Sequence, residues 1–394
     1  GEEELLYQAL YRMSRQKIHR LGVVDPAGKL SGIITDTDIL RLQAHSPHQL
    51  VLDIEKAQHL DDFKTLHARI QALVTHLSGT GIPIRDLVRL IAHLNDQIVV
   101  RLIGLLRAEW FDDIDENSFA FLVLGSEGRG EQTLATDQDN AIVYADALSP
   151  EQVKRIEEFS LALIDGLIAI GVPACKGGIM AKNADWRRSL GDWQKQLARW
   201  MGTPTPDNIL ACSTFIDLRT AYGSPRFEEA LKGQIYDQSD SNNLFLLRMV
   251  EGGLRFTPPI GWFGKIKGES GGEHSGELEI KKAGIFAITD GIKALAVQNK
   301  MLSGSTLQRL EALRAAGIVD ERDSAALDEG FRFLVLMRLR SQLQDIAEGR
   351  EPDNYIRLDR LNVMEKGRLK IALTSVVKFQ EFLKHHFGLH LVRG

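Results

Sequence analysis

Asp137 and Asp139 stand two positions apart in "LATDQDNAIVYA", and "VLGSEGRGEQ" upstream sets Gly125 and Ser126 at the end of an apolar run. Two carboxylates separated by one residue share a face wherever the backbone is extended. Hard oxygens aimed the same way suit Mg²⁺ or Mn²⁺, with substrate phosphates completing the coordination. A strand running into Gly-Ser supplies a turn that a ligand can approach closely, with amides and a hydroxyl for phosphate oxygens. The combination predicts a phosphate-and-metal site. A Walker loop is excluded because no Gly-Lys-Ser/Thr follows, and a dinucleotide fingerprint because Gly125, Gly128 and Gly130 fall in the wrong order. A calcium EF-hand is excluded because its fifth position would be Ala141. A plain hairpin with solvated acids uses the same turn residues and is the competing reading.

The spacing of apolar strand, Gly-Ser and D-x-D, with Asp137 eleven positions after Ser126, resembles the polymerase-β-type nucleotidyltransferase superfamily. Within it, "GSEGRGEQTLATDQDNA", "GGIMAKNADWRRSL", "FIDLR" and "KKAGIF" resemble the nucleotidyltransferase group related to the PII-protein uridylyltransferases. That resemblance implies a third acid on a later strand of the same sheet. Asp217 in "STFIDLR" is the position on offer, and Asp185 in "NAD" the next candidate. It implies that Asp137, Asp139 and Asp217 bind the metal and are catalytic, while Gly125 and Ser126 hold phosphates. Arg129, Lys182, Arg187 and Arg188 are candidates to meet a triphosphate, although surface ion pairs suit them equally. The expected reaction moves a nucleoside monophosphate from a nucleoside triphosphate to an acceptor hydroxyl, with a small signalling protein as the acceptor suggested by the uridylyltransferases. Gln138 and Asn140 stand where the superfamily often has apolar residues, so a non-catalytic nucleotide sensor on the same fold remains the alternative.

"TDTDIL" also contains two spaced aspartates, but no Gly-Ser turn precedes it. "RLGVVDPAGKLSGIITDTDIL" instead resembles the end of a cystathionine-β-synthase (CBS) repeat, in which Thr35 and Asp38 can contact the phosphate and ribose of an adenine nucleotide. About one repeat is present and such repeats work in pairs, so a dimerising or truncated remnant competes with ligand binding. Leu21, Val23, Val24, Ile33 and Ile34 fill one small sheet whose faces need a partner, and a homodimer is expected.

The elements that must position these residues follow from periodicity. Residues 1–45 read as helix, hairpin and helix. Apolar residues at three- and four-residue steps predict a helix from Asp61 to Leu77, and a second carries Leu87 through Leu105 on one stripe, giving a helical pair over 55–112. A nucleotidyltransferase domain over 113–265 is expected, with strands at "FAFLVL", "NAIVYA" and "ACSTFIDLR" and a helix at "EQVKRIEEFSLALIDGLIAI". "KIKGESGGEHSGELEI" reads as a mobile boundary loop, and 277–394 as a helical substrate-binding bundle. Trp186, Trp193 and Trp200, seven apart, read as core packing, and "KHHFGLH" as a frayed helix end. The fold class is therefore α+β, multidomain. With 48 basic and 53 acidic residues among 394 there is no electrostatic footprint for nucleic acid, and no stretch is apolar enough to span a membrane. Cys175 and Cys212 are too few for a disulfide framework and read as ordinary core thiols, and the acidic start "GEEELLYQAL" is unlike a signal peptide, so the cytoplasm is expected.

Overall fold

A computed structural model describes residues 18–35, 47–79, 81–134, 138–261 and 265–389, together with 1, 9, 12, 13, 15 and 16. At the N-terminal end, β1 (Arg20–Val24) and β2 (Leu30–Thr35) form an antiparallel hairpin. Asp25 closes its turn by accepting the amides of Ala27 and Lys29. Ile33 and Leu30 are 65% and 61% exposed, so the apolar face is only partly covered.

The predicted helical pair is present as α2 (Leu60–Ser78) and α3 (Ile84–Trp110), preceded by a short α1 (Pro47–Lys56). Leu87, Ile91, Leu94, Ile98 and Leu102 are all buried along one stripe of α3. Arg101 ties the end of α1 to α3 through two hydrogen bonds to the Ala57 carbonyl.

Four strands form the central sheet: β3 (Phe119–Val123), β4 (Asn140–Tyr144), β5 (Arg187–Ser189) and β6 (Arg219–Gly223). Their spatial order is β5-β4-β3-β6, with β3 antiparallel to both neighbours and β4 parallel to β5. Every residue of β3 is buried, as a continuous "FAFLV" run at the centre of a sheet should be. Between β3 and β4 lies α4 (Gly125–Gly128), a single turn. Next comes α5 (Pro150–Ala169), started by a Ser149–Gln152 capping box with Pro150 in its first turn.

"ACSTFIDLR" departs from expectation. Most of it belongs to helix α7 (Pro206–Ile216), and the strand β6 begins only at Arg219. Thr205 caps the helix by accepting the Asn208 amide. Ile209, Cys212, Phe215 and Ile216 share its buried face at helical spacing, which overrides the strand preference of the β-branched and aromatic residues. Trp193 and Trp200 lie on α6 (Leu190–Gly202), whereas Trp186 precedes it in a 3₁₀ turn. All three gather around Phe215, which stacks on Trp193 at 4.4 Å, so core packing is their role.

The remaining chain is largely helical: α8 (Arg226–Ser241), α9 (Asn243–Leu254), α10 (Phe286–Gln298), α11 (Thr306–Ala315), α12 (Glu321–Ala347) and α13 (Val363–His386). The glycine-rich segment expected to be a mobile loop is partly ordered by pairing. Its β7 (Glu277–Glu279) lies antiparallel to β8 (Tyr355–Arg357), and the His274 ring stacks on Tyr355 at 3.6 Å. The helix end expected to fray at "KHHFGLH" continues to His386, whose ring bonds the Gln298 side chain; the last histidine of that stretch, at 390, lies outside the described residues.

Candidate active site

Strand β3 delivers the chain into Gly125, which adopts a left-handed φ of +52°. Only glycine takes this conformation without strain, and a Cβ here would press on Oδ2 of Asp139 at 3.1 Å. The Asp139 carboxylate thus lies against the Gly-Ser turn, brought there by the Val123–Asn140 register and by the Leu124 amide bonded to the Asp139 carbonyl. The first amides of a helical turn have no helical acceptor, which leaves those of Gly125 and Ser126 for a ligand. Asp137 lies outside the described residues.

Alternation along the chain explains the polar residues around Asp139. Gln138 and Asn140 are 2% and 1% exposed and point inward, so the half-buried Asp139 faces the other way. Asn140 donates to the Gln138 side chain and accepts the Ala181 amide. These residues fix the acid's orientation.

Two neighbours were not legible in the sequence. Cys175, read there as an ordinary core thiol, hydrogen-bonds Asp139. Burial and that contact push the thiol up to about 11, so it stands protonated beside the acid. Cys212 does fit the core reading, fully buried in α7. Glu127, inside the turn, is 7% exposed. Burial, then the Asp96 carboxylate, with a smaller push from Asp139, raises its pKa to about 8 against the pull of Arg219.

The turn is clamped from below. A Cβ at Gly128 would overlap the Asp217 carbonyl oxygen, so glycine is required for the close approach. Arg219 donates to the carbonyls of Gly128 and Glu127 and pairs with Asp96 of α3 at 2.9 Å. Asp217, at the end of α7, is 1% exposed and surrounded by cations. Arg309 meets one carboxylate oxygen at 2.6 Å, while Arg129 at 2.5 Å and Lys293 at 2.8 Å share the other. Burial alone would raise its pKa, but Lys293, Arg129 and Arg309 outweigh that and hold it well below the carboxylate range. Glu131 completes the clamp by accepting the Thr306 amide and hydroxyl at the start of α11 while pairing with Arg129.

The expected residues therefore divide. Gly125, Ser126 and Asp139 come together. Asp217, expected on a strand as a third metal ligand, sits at a helix end with both oxygens on cations from 129, 293 and 309. Among the described residues no cluster of three His, Cys, Asp or Glu side chains suits a metal. Arg129 serves Asp217 and Glu131. Lys182 pairs with Asp165 of α5, and Arg187 is engaged by Glu157, Ser160 and the carbonyls of Ala181 and Lys182. Arg188 pairs with Asp185, which places that alternative acid in a surface bridge. Thr35 ends β2 opposite Arg20, and Asp38 lies outside the described residues.

Three family models match the sequence in order. Residues 1–45 match the CBS domain, and 68–207 match the putative nucleotidyltransferase DUF294. Residues 243–387 match the putative nucleotidyltransferase substrate binding domain DUF294_C. The chain belongs to the family of putative nucleotidyltransferases that these two models describe. The core match contains the Gly-Ser turn and both acids of the D-x-D pair, whereas Asp217 falls between the two matched spans. The Asp217 cluster joins the Gly-Ser turn to the span matched by the substrate binding domain model, since Lys293 and Arg309 come from that span. No curated protein matches the sequence. Among the described residues no helix is long and apolar enough to cross a membrane.

Proposed function

We infer that this chain is a metal-dependent nucleotidyltransferase whose reacting centre lies between the Gly125–Ser126 turn and Asp139. The observation carrying the inference is the Asp139 carboxylate laid against the left-handed Gly125 of that turn. One hard carboxylate beside free amides, with a second acid two positions earlier in sequence, fits Mg²⁺ or Mn²⁺, which takes few protein oxygens and fills its shell with phosphates and water. When bound, the metal would neutralise phosphate charge and ease departure of pyrophosphate. Asp139 and Asp137 would hold it, and the turn would orient the outgoing phosphates. The acceptor hydroxyl forms its bond to the α-phosphorus, the bond to the bridging oxygen breaks, and the proton is lost to solvent. Positioning dominates such chemistry. The substrate-binding domain presents the acceptor, and a protein hydroxyl is the acceptor class we favour by likeness to the uridylyltransferases.

Asp217 we assign to positioning rather than ligation, because its two oxygens already meet three cations. The same fact favours a second reading, a nucleotide sensor that binds without transferring. α-Phosphate-labelled nucleoside triphosphates incubated with the full chain, Mg²⁺ or Mn²⁺ and native cell extract separate the two. Label on an acceptor, lost in Asp139→Asn, supports transfer. Metal-dependent binding without any label supports the sensor and rejects transfer.

A further inference from the structure

Helices α12 and α13 run antiparallel within the span matched by the substrate binding domain model, with Arg340 paired to Glu365 and Gly330 set against Ser375. A Cβ at Gly330 would come within 2.8 Å of the Ser375 hydroxyl, so the two helices approach closely there. Toward the start of α12 the pair leaves an open groove of about 240 Å³. Its floor is apolar, with Val319, Leu327 and Phe379 buried. From that groove an exposed stripe continues along α13, where Ile371, Gly367 and Val363 follow at four-residue steps with Met364 beside them. Ile371, Met364 and Val363 are 70%, 78% and 86% exposed. Single exposed apolar side chains are ordinary, but a stripe that runs out of an apolar groove marks a binding face.

The rim is basic. Arg322, Lys370 and Lys378 line the groove, and Asp323 alone among the lining residues is acidic. Among the described residues no carboxylate pairs with any of these three cations, and Glu381, one turn from Lys378, is taken by Lys384. The surplus is local, since the whole chain carries a formal charge of -5.

We propose that this groove docks an acidic amphipathic helix of a protein partner, with its apolar side chains in the groove and along the stripe and its carboxylates on Arg322, Lys370 and Lys378. Helix-in-groove recognition takes apolar anchors at three- and four-residue steps, the spacing that the stripe itself has. Opposite charge at the rim selects the partner and speeds its encounter. A second copy docking through the same face would bring this cationic patch against its own image, so self-association is the poorer fit. None of the lining residues belongs to the Gly-Ser turn or to the clamp around Asp217, and the proposal does not rest on the transfer reading.

Selection of a display library of randomised helical peptides on the full chain tests it, with Ile371→Glu as the counter-selecting bait. Ile371 is a surface residue, so Ile371→Glu should keep the wild-type melting temperature. Peptides enriched on the wild type should carry Asp or Glu between apolar residues at three- and four-residue steps. Made synthetically, they should bind Ile371→Glu at least tenfold more weakly, and equally so the chain carrying both Lys370→Glu and Lys378→Glu. Their affinity should fall as salt rises. No enrichment, enrichment of basic or uncharged peptides, or binding that survives the variants would each overturn the assignment. So would a drop in light-scattering mass for Ile371→Glu, which would make the face a contact between copies, or flotation with vesicles of anionic lipid that the same variants abolish.

Discussion

Glycine, not the acids, sets the tolerance of the candidate site. Gly128→Ala drives a methyl into the Asp217 carbonyl, and Gly125→Ala adds strain at φ +52° besides crowding Asp139. Both variants should lose nucleotide binding in titration calorimetry; full affinity in Gly128→Ala would mean that the turn is not held as described. Asp217 makes a different prediction. Asp217→Asn leaves Arg309 without a counter-charge in a buried place, and Arg129 and Lys293 with only Glu131 and Asp290, a loss of about 3–5 kcal/mol in chemical denaturation. A variant that keeps its stability but loses turnover would restore Asp217 to metal ligation. The pH signs follow from the same groups. Asp217 is held below its unfolded value of about 3.9, so its contribution is present above that pH and is lost as acid protonates it. Glu127 is raised to about 8, so its protonated form favours the fold, and stability falls as pH rises through that value. Glu127→Gln should flatten the decline in melting temperature between about pH 5 and 8, and an unchanged decline would assign it to other groups.

At the scale of elements, the Phe215 side of α7 carries the packing that fixes β4. Trp193 stacks on Phe215, and its indole donates to the Ile142 carbonyl beneath the strand that leads out of Asp139. Phe215→Ala should cost about 3–5 kcal/mol in denaturant titration, and a cost below about 1 kcal/mol would show that the cluster is peripheral. This region also shows how far local pattern carries. "FAFLV" and "NAIVY" are legible as strands because a buried strand is continuously apolar, and α3 because its stripe runs the length of the helix. "ACSTFI" has the composition of a strand, and only the Thr205-Pro206 start and the spacing of its buried face mark a helix. The pairing of β7 with β8 joins segments about 75 residues apart, which no local signal specifies. The Gly-Ser turn and Asp139 were legible because their spacing is itself the geometry. The cations around Asp217 were not, since they arrive from three distant places in the sequence.

For the whole molecule, the nucleotidyltransferase core and the substrate-binding domain are joined by a clamp built from Asp217 and Glu131. The N-terminal hairpin stands apart from that clamp, with Leu30 and Ile33 exposed. We predict that the full chain is a dimer through this unit. Deleting residues 1–45 should halve the mass seen by light scattering and leave metal-dependent nucleotide binding intact, whereas an unchanged mass would reject that interface. The central claim is that Asp139 and the Gly-Ser turn together hold metal and nucleotide. The most direct measurement is Mn²⁺ binding by electron paramagnetic resonance, with and without a non-hydrolysable nucleoside triphosphate. The wild-type chain should bind Mn²⁺ weakly alone and at least tenfold more tightly with the nucleotide, and Asp139→Asn should abolish that gain while keeping its melting temperature. An equal gain in Asp139→Asn would place the metal elsewhere and contradict the account.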